Sequence, residues 1–532
     1  MTSKFLTGHL ALTGTRLASA SVLAASLAMS LAWPATAAAS PGSGKPGSWT
    51  VYHGDPAGSG NAASVRSVSV GARVWTSPTL DGQLYGQPLV LGKSVFVATE
   101  NNTVYALSSS TGAVRWSTHL GKPVPASALQ CGNITPVAGI TGTPVIDPAR
   151  REIFVVTDEY RAGRPAHFLV GLDTATGRRE MTQRVDPPGQ DPAAILQRTG
   201  LTLTADNVVF GFGGNYGDCS TYRGRLIAVP ETGGRQKTFT VAAASGTSKG
   251  AIWMGGAAPV VDGHGNVWVS TGNSTITSSG HRYDSSDGVL QLSPSMRLLQ
   301  YFAPKSWPVD NAQDIDMAAA PALLANGLVV QGTKSGRIYL LDASHLGGVG
   351  GELAVLRSAC DADIDGGVAV SGTTVFLPCL TGIIAVRAAS SPPRLRLLWR
   401  SVTGGGPPIL AGGLVWTIGQ DGTLSGLDPA TGKIRRQAHI GVPANHFPTP
   451  GVGDGLLLAA CAQNVIAFPA NGTGGQHAAA RSSGHGTSCD FSAPAPPVSR
   501  KAIAVIAVLA VAGLVIIAGV ALLLWRWMSR RR

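Results

Sequence analysis

Charged residues are scarce in this chain, and their scarcity excludes several classes of protein. Only 13% of the 532 residues are Asp, Glu, Lys or Arg, whereas 44% are hydrophobic, and a disordered chain shows the opposite imbalance. Glycine and proline are abundant, at 69 and 34 residues, but they follow no Gly-X-Y period, which excludes collagen. Few charges together with many turn-forming residues favour an all-β fold of short strands joined by tight turns.

Motifs of metal, haem and nucleotide sites are also missing. The sequence contains no Cys-x-x-Cys, no His-x-His or His-x-x-x-His pair and no Walker loop. We therefore predict no zinc site, no haem and no phosphate-binding loop.

The net charge of +12 does not indicate a nucleic-acid partner. Several of the basic residues lie at the two ends of the chain: Lys4, Arg16, Lys501, Arg526, Arg530, Arg531 and Arg532. Between the ends, basic and acidic residues nearly balance, and no stripe of Lys and Arg with interleaved aromatics occurs. A DNA-binding surface needs such a stripe, so we predict no nucleic-acid binding.

The two ends predict export and membrane attachment. Residues 1–39 combine two basic residues, an Ala- and Leu-rich run and small residues at its end, which is typical of a cleavable signal peptide. Residues 502–525 carry no charge and are long enough to cross the bilayer as a helix. Because the tail 526–532 is basic, it is expected to stay cytoplasmic. We predict a single-pass cell-membrane protein with an extracellular N-terminal domain, joined to its anchor by a Gly/Ser/Ala/Pro stalk at 471–501.

The six cysteines all lie in the part predicted to be exported. An even number of cysteines in an oxidising compartment favours disulfides. Other pairings are open, and the ones that we predict are Cys131–Cys219, Cys360–Cys379 and Cys461–Cys489.

One short pattern recurs eight times and predicts the fold. It consists of a strand that ends in an apolar residue, Ala or Gly, and Leu or Val, often followed by Asp-x-x-Thr-Gly. The eight copies are Val104–Leu107, Val170–Asp173, Ile227–Val229, Leu290–Leu292, Tyr339–Asp342, Ile384–Val386, Ser425–Asp428 and Ile466–Phe468. Their spacings of 41 to 65 residues suit one four-stranded blade per copy. We therefore predict an eight-bladed β-propeller of antiparallel blades over residues 75–470.

The repeat resembles that of the bacterial quinoprotein dehydrogenases, which bind pyrroloquinoline quinone (PQQ), and of the non-catalytic propellers that share it. We call this repeat PQQ-like. The fullest copy runs from Val104–Leu107 through Thr111-Gly112 to Trp116. In that family an N-terminal strand commonly closes the ring against the last blade. The resemblance implies that residues 40–74 hold such a strand, with Trp49–Tyr52 and Ser69–Trp75 as the two candidates.

The resemblance also implies a site. Family enzymes hold PQQ above a tryptophan, with Ca²⁺, a catalytic aspartate and a basic residue beside it. The platform tryptophan resembles Trp253, and a calcium ligand resembles Asn273. The catalytic aspartate resembles Asp316, and the basic residue beside the quinone resembles Lys334. The family's second calcium ligand is a glutamate, but only Asp218 stands near its place. A metal site would therefore consist of Asn273, Asp316 and Asp218.

Each of these residues also has a structural interpretation. Trp253 is expected to pack between blades, and Asn273 to satisfy a turn through its own side chain. Asp314 and Asp316 are expected to accept hydrogen bonds from amides between blades. Lys334 is expected to pair with one of these two carboxylates.

Three functions remain open on this basis. We favour a non-catalytic binding or scaffold module without a cofactor, whose propeller face holds a protein, a glycan or a small molecule. The alternative is a PQQ- and calcium-dependent dehydrogenase of alcohols or sugars. A hydrolase or lyase that uses the acidic residues around Asp316 is the third.

Overall fold

The structure, a computed structural model, describes residues 47–472. The predicted signal peptide, the stalk beyond residue 472, the membrane helix 502–525, the tail 526–532 and Cys489 lie outside these residues. Within residues 47–472, no helix combines the length and the apolar character that crossing a membrane requires. Membrane attachment therefore stays a prediction.

Eight antiparallel sheets follow one another along the chain as blades 1 to 8, which confirms the predicted propeller. Each of the eight repeat copies falls on the third strand of its blade. Blade 1 consists of Leu89–Leu91, Ser94–Ala98, Thr103–Ser108 and Val114–His119, and blade 2 of Val145–Asp147, Glu152–Arg161, Arg164–Asp173 and Arg179–Arg184. Blade 3 consists of Ile195–Gln197 with Thr202–Thr204, Asn207–Gly214, Arg225–Pro230 and Lys237–Thr240. Blade 4 consists of Val260–Val261, Val267–Ser270, Val289–Leu292 and Leu298–Ala303.

Blades 5 to 8 continue the same order, although only three strands of blade 8 come from the C-terminal part of the described residues. Blade 5 consists of Ala322–Leu323, Leu328–Gly332, Ile338–Asp342 and Ala354–Leu356, and blade 6 of Ala369–Ser371, Thr374–Cys379, Gly382–Ser390 and Pro393–Ser401. Blade 7 consists of Ile409–Ala411, Leu414–Ile418, Thr423–Leu427 and Ile434–His439. Blade 8 consists of Gly451–Gly453, Leu456–Cys461 and Asn464–Gly472.

Several short elements complete the described residues. The strands among them are Asn61–Ala62, Val65–Val68, Trp75–Thr76, Val124–Pro125, Val137–Ala138 and Gly348–Val349. The helices are three 3₁₀ turns and one α-helix, namely Ala126–Ala128, Pro192–Ala194, Met254–Gly256 and Trp307–Ala312.

The N-terminal strands close the ring. Val65–Val68 and Trp75–Thr76 pair antiparallel with Asn464–Gly472, and Trp75 lies opposite Ala467. The candidate Ser69–Trp75 thus pairs with the last blade through Trp75, at the C-terminal end of the candidate. The other candidate does not take this role, because its Trp49 forms an isolated bridge with Val90 of blade 1 instead.

Tryptophans hold neighbouring blades together. The indole of Trp116 in blade 1 donates a hydrogen bond to the Thr174 carbonyl at 3.1 Å and lies against Gly177 of blade 2. The same contact recurs for Trp399 with Pro429 and Gly432, and for Trp75 with Ser109 and Gly112. Because a side chain on these glycines would collide with the indole, the Thr-Gly turn of the repeat is a docking surface. The ring therefore closes through the same contact that joins its blades.

A second N-terminal segment, residues 49–62, runs across one end of the ring. Its carbonyls accept hydrogen bonds of 2.7–2.8 Å from the first strands of blades 2, 4, 6 and 7, at Ile146, Val261, Val370 and Leu410. Tyr52 and His53 are buried in this segment, and the Gly367 amide donates to the Tyr52 hydroxyl at 3.2 Å. The central channel is therefore a funnel covered at this end.

Two of the predicted disulfides are confirmed. Cys131–Cys219 joins the loop after blade 1 to blade 3, and Cys360–Cys379 joins the entry of blade 6 to its second strand, with Cα–Cα distances of 6.2 and 5.9 Å. The predicted partner of Cys461, Cys489, lies outside the described residues.

Candidate functional site

A cavity of about 420 Å³ occupies the open end of the funnel. Its walls are the segments that enter the first strands and the turns that join second and third strands. The charged and aromatic residues that line it are Tyr85, Arg198, Tyr216, Trp253, Asp314, Lys334, Asp363, Asp365, His446 and Phe447. Cavities of this size accommodate small-molecule ligands.

Trp253 lies in this cavity directly before the 3₁₀ turn Met254–Gly256. Met254, Gly255 and Gly256 have φ values of 49°, 53° and 85°, a left-handed region that glycine adopts without strain. The indole also packs so closely on Gly213 that a side chain there would collide with its Nε1. This Nε1 is buried and has no hydrogen-bond partner among the described residues.

Lys334 and Asp316 form a buried ion pair beside Trp253. Lys334 Nζ contacts Asp316 Oδ2 and lies 3.3 Å from Asp314 Oδ2 and 5.5 Å from the centre of the Trp253 ring. The other carboxylate oxygen of Asp316, Oδ1, accepts the Asn273 amide hydrogen at 2.7 Å. Burial disfavours charged Lys334, but Asp316 and Asp314 outweigh this effect and hold the pKa of Lys334 above its usual value.

The sequence-predicted residues are thus only partly assembled. Trp253 and Lys334 line the cavity, while Asp316 lies behind Lys334 and Asn273 reaches Asp316 through its backbone. Asp218 is engaged elsewhere: it accepts the Tyr222 hydroxyl at 2.8 Å and lies 3.5 Å from Lys249.

Sequence reasoning missed Asp365, which also lines the cavity. Asp363-Ile364-Asp365 repeats the Asp314-Ile315-Asp316 tripeptide before the next blade, so the second copy was a signal that could have found it. Asp365 is only 7% exposed; its Oδ1 is buried and has no hydrogen-bond partner among the described residues. Burial raises the pKa of Asp365 to about 7, with Lys334 opposing the shift and Asp363 adding to it.

Arg198 was missed as well. Its guanidinium lies 6.0 Å from the centre of the Tyr85 ring and 5.6 Å from that of Phe447. Within residues 47–472 it makes no hydrogen bond and no ion pair, and burial lowers its pKa. No repeat or motif marks this residue in the sequence.

A segment with the spacing of a hydrolase nucleophile was also overlooked. Gly246-Thr247-Ser248-Lys249-Gly250 matches Gly-x-Ser-x-Gly, which places its serine on a strand-to-helix turn in hydrolases. Here Ser248 lies in the loop after the strand Lys237–Thr240, the next helical element is the short 3₁₀ turn Met254–Gly256, and the Ser248 backbone amide donates to Thr275 Oγ1 at 3.1 Å. The segment therefore lacks the context of a nucleophile.

Comparisons with known proteins agree with this architecture. Residues 61–287 match the family model described as outer membrane protein assembly factor BamB. Polyvinylalcohol dehydrogenase from Sphingopyxis sp. (strain 113P3) is 26% identical over 313 residues, which are 50% of this chain and 44% of that protein. The chain thus matches less than half the length of this curated relative.

Solved structures share the fold over most of the chain. Quinohemoprotein alcohol dehydrogenase ADHIIG from Pseudomonas putida HK5 matches with a TM-score of 0.59 and 13% identity, covering 82% of both chains. The enzyme from Comamonas testosteroni matches with a TM-score of 0.57 and 15% identity, covering 81% of both. The chain is an eight-bladed β-propeller built from PQQ-like repeats. At these identities the likeness establishes the fold and not the chemistry.

The donor set of this PQQ-like propeller does not fit the family's calcium site. Both carboxylate oxygens of Asp316 are engaged, by Lys334 and by the Asn273 amide. Asp218, the third predicted ligand, is paired with Tyr222 and Lys249. Among residues 47–472, no cluster of three His, Cys, Asp or Glu side chains is arranged to hold a metal. Hard cations such as Ca²⁺ need several free oxygen ligands, which this arrangement does not offer.

Proposed function

We propose that this PQQ-like propeller is a binding protein that holds a small polar ligand in its funnel without transforming it. The observation that carries the proposal is that both carboxylate oxygens of Asp316 already have protein partners. A general base needs a free carboxylate oxygen in reach of its substrate, but Asp316 is occupied by Lys334 and the Asn273 amide. The cavity beside it presents charged groups that have no hydrogen-bond or ion-pair partner in the described part of the chain, which is what a binding site needs.

The proposal places this binding site outside the cell. Two disulfides are present, and disulfides persist in oxidising compartments. The segments 1–39 and 502–525 have the composition of a signal peptide and a membrane span. A propeller carried at the cell surface by one helix is the arrangement that these features favour.

A quinone-dependent dehydrogenase is the second candidate. It is favoured by the names of the similar proteins, which are dehydrogenases, and by the position of Trp253 beside Lys334. For this function Lys334 would have to release Asp316, and a further oxygen ligand would have to replace Asp218.

One experiment separates the two candidates. Full-length protein in detergent is screened by thermal shift against small polar metabolites, and dye-linked oxidation of alcohols and sugars is measured after addition of PQQ and Ca²⁺. We expect stabilisation by at least one metabolite and no dye reduction. Oxidation that requires both additions and disappears in Asp316→Asn would establish the dehydrogenase instead. Asp361→Asn, which changes an exposed aspartate paired with Arg400, is the matched control.

A further inference from the structure

The cavity has two walls of opposite character. We call Tyr85, Arg198 and Phe447 the arginine wall. The aspartate wall consists of Asp314, Asp316, Lys334, Asp363 and Asp365. All of these residues except Asp316 line the same cavity, so one ligand can contact both walls.

The arginine wall offers an unpaired cation. Aromatic rings flank Arg198, but no carboxylate among the described residues forms an ion pair with it. The nearby Glu100 forms no ion pair with Arg198 among the described residues: its Oε2 accepts the Gly139 amide hydrogen at 2.7 Å, and burial raises the pKa of Glu100 to about 7. A guanidinium held in this way is suited to a carboxylate, which it can bind through two parallel hydrogen bonds.

The aspartate wall offers unpaired negative charge. Four carboxylates surround Lys334, which reaches only Asp314 and Asp316. Asp365 is more than nine-tenths buried and faces the cavity, and its Oδ1 has no partner among the residues that the structure describes. Leaving a buried carboxylate oxygen without a donor is costly, and a ligand ammonium would supply both the donor and the counter-charge.

The turn after Trp253 shows that the two walls are close together. A side chain on Gly256 would collide with the guanidinium of Arg198, and one on its neighbour Gly255 would collide with the backbone of Gly366, next to Asp365. Two consecutive residues thus touch both walls. Trp253 itself lines the cavity and offers an apolar surface to a short carbon chain.

From this geometry we propose that the funnel binds a small zwitterion of the amino acid class, with its carboxylate on Arg198 and its ammonium on Asp365. The inference rests on the proposed binding function and adds the ligand class to it. It explains why two charged groups that lack protein partners among residues 47–472 face one cavity.

The test uses isothermal titration calorimetry on the full-length protein in detergent. The probes are glycine, 4-aminobutanoate and 6-aminohexanoate, and butanoate and butylamine serve as the singly charged controls. We expect the best zwitterion to bind at least about ten-fold more tightly than either control, since each charged hydrogen bond adds roughly that factor. Arg198→Met and Asp365→Asn should each weaken it by about ten- to hundred-fold, while the exposed Asp361→Asn leaves it unchanged.

The outcomes distinguish this inference from the proposed function. If a singly charged or neutral compound binds as tightly as the zwitterions, or if both variants retain full affinity, the inference is wrong and the binding function stands. If none of the zwitterions binds but the metabolite screen finds another ligand, the inference is again wrong alone. If no compound binds in either experiment, both proposals fail.

Discussion

Lys334 and Arg198 are two cations of one cavity, and they differ in what surrounds them. Lys334 contacts Asp316 and lies 3.3 Å from Asp314, with the Trp253 ring at 5.5 Å. Arg198 has two aromatic rings within 6.0 Å and no ion pair among the described residues. The lysine is therefore neutralised by the protein and supports the structure, whereas the arginine is available to a ligand. Sequence resemblance pointed to the lysine, but the contacts favour the arginine as the binding group.

The largest expected effect separates the two cations by stability. Lys334→Met leaves the 2% exposed Asp316 without its counter-charge, and breaking a buried ion pair in this way costs about 3–5 kcal/mol. Arg198→Met removes a cation with only aromatic partners, so the free energy of unfolding should fall by no more than about 1 kcal/mol. Urea denaturation of both variants measures the difference. Equal losses would mean that Arg198 is a structural residue too, and the comparison would then fail.

This comparison also shows what the sequence could and could not predict. The eight repeat copies predicted the propeller because each falls on the third strand of its blade, and Trp116 with Gly177 shows that the motif itself carries the contact between blades. The pairing of Lys334 with a carboxylate was predicted as the structural interpretation. Arg198 could not be predicted, because its partners Tyr85 and Phe447 come from the entries of blades 1 and 8, far away in sequence. Asp365 was predictable in principle from the repeated Asp-Ile-Asp, but its lack of a partner depends on packing.

A smaller effect sharpens the role of the arginine wall. Gly256 has φ 85°, and a Cβ there would collide with the Arg198 guanidinium. Gly256→Ala should therefore cost about 1–3 kcal/mol of backbone strain and also displace Arg198, weakening 4-aminobutanoate in calorimetry. Gly327→Ala is the matched control, since Gly327 has φ 78° and open space around its Cβ position. It should show similar strain, measured by urea denaturation, and unchanged affinity. If both variants bind equally well, Arg198 does not hold the ligand.

The smallest expected effect is the dependence of ligand affinity on pH, and its sign distinguishes the two walls. Burial raises the pKa of Asp365 to about 7. The charged groups that act on this carboxyl are Lys334, Asp314, Asp316 and Asp363. The buried Tyr52 and His53 pack against Gly367, two residues further along the chain. An ammonium favours the ionised carboxylate. Below pH 7 its binding must therefore release a proton, and affinity for 4-aminobutanoate should fall as the pH drops, by at most about ten-fold per unit.

The arginine wall should respond to pH in the opposite direction. The pKa of Glu100 is also raised to about 7 by burial, and its ionisation beside Arg198 disfavours a ligand carboxylate. In Asp365→Asn the Glu100 carboxyl remains, so the weakened affinity should now fall as the pH rises from 6 to 8. Calorimetry in two buffers of different ionisation enthalpy measures the proton exchange directly. If the pH dependence of affinity keeps its sign in Asp365→Asn, the titrating group is not Asp365, whereas a reversal assigns one group near pH 7 to Asp365 and a second to Glu100 beside Arg198.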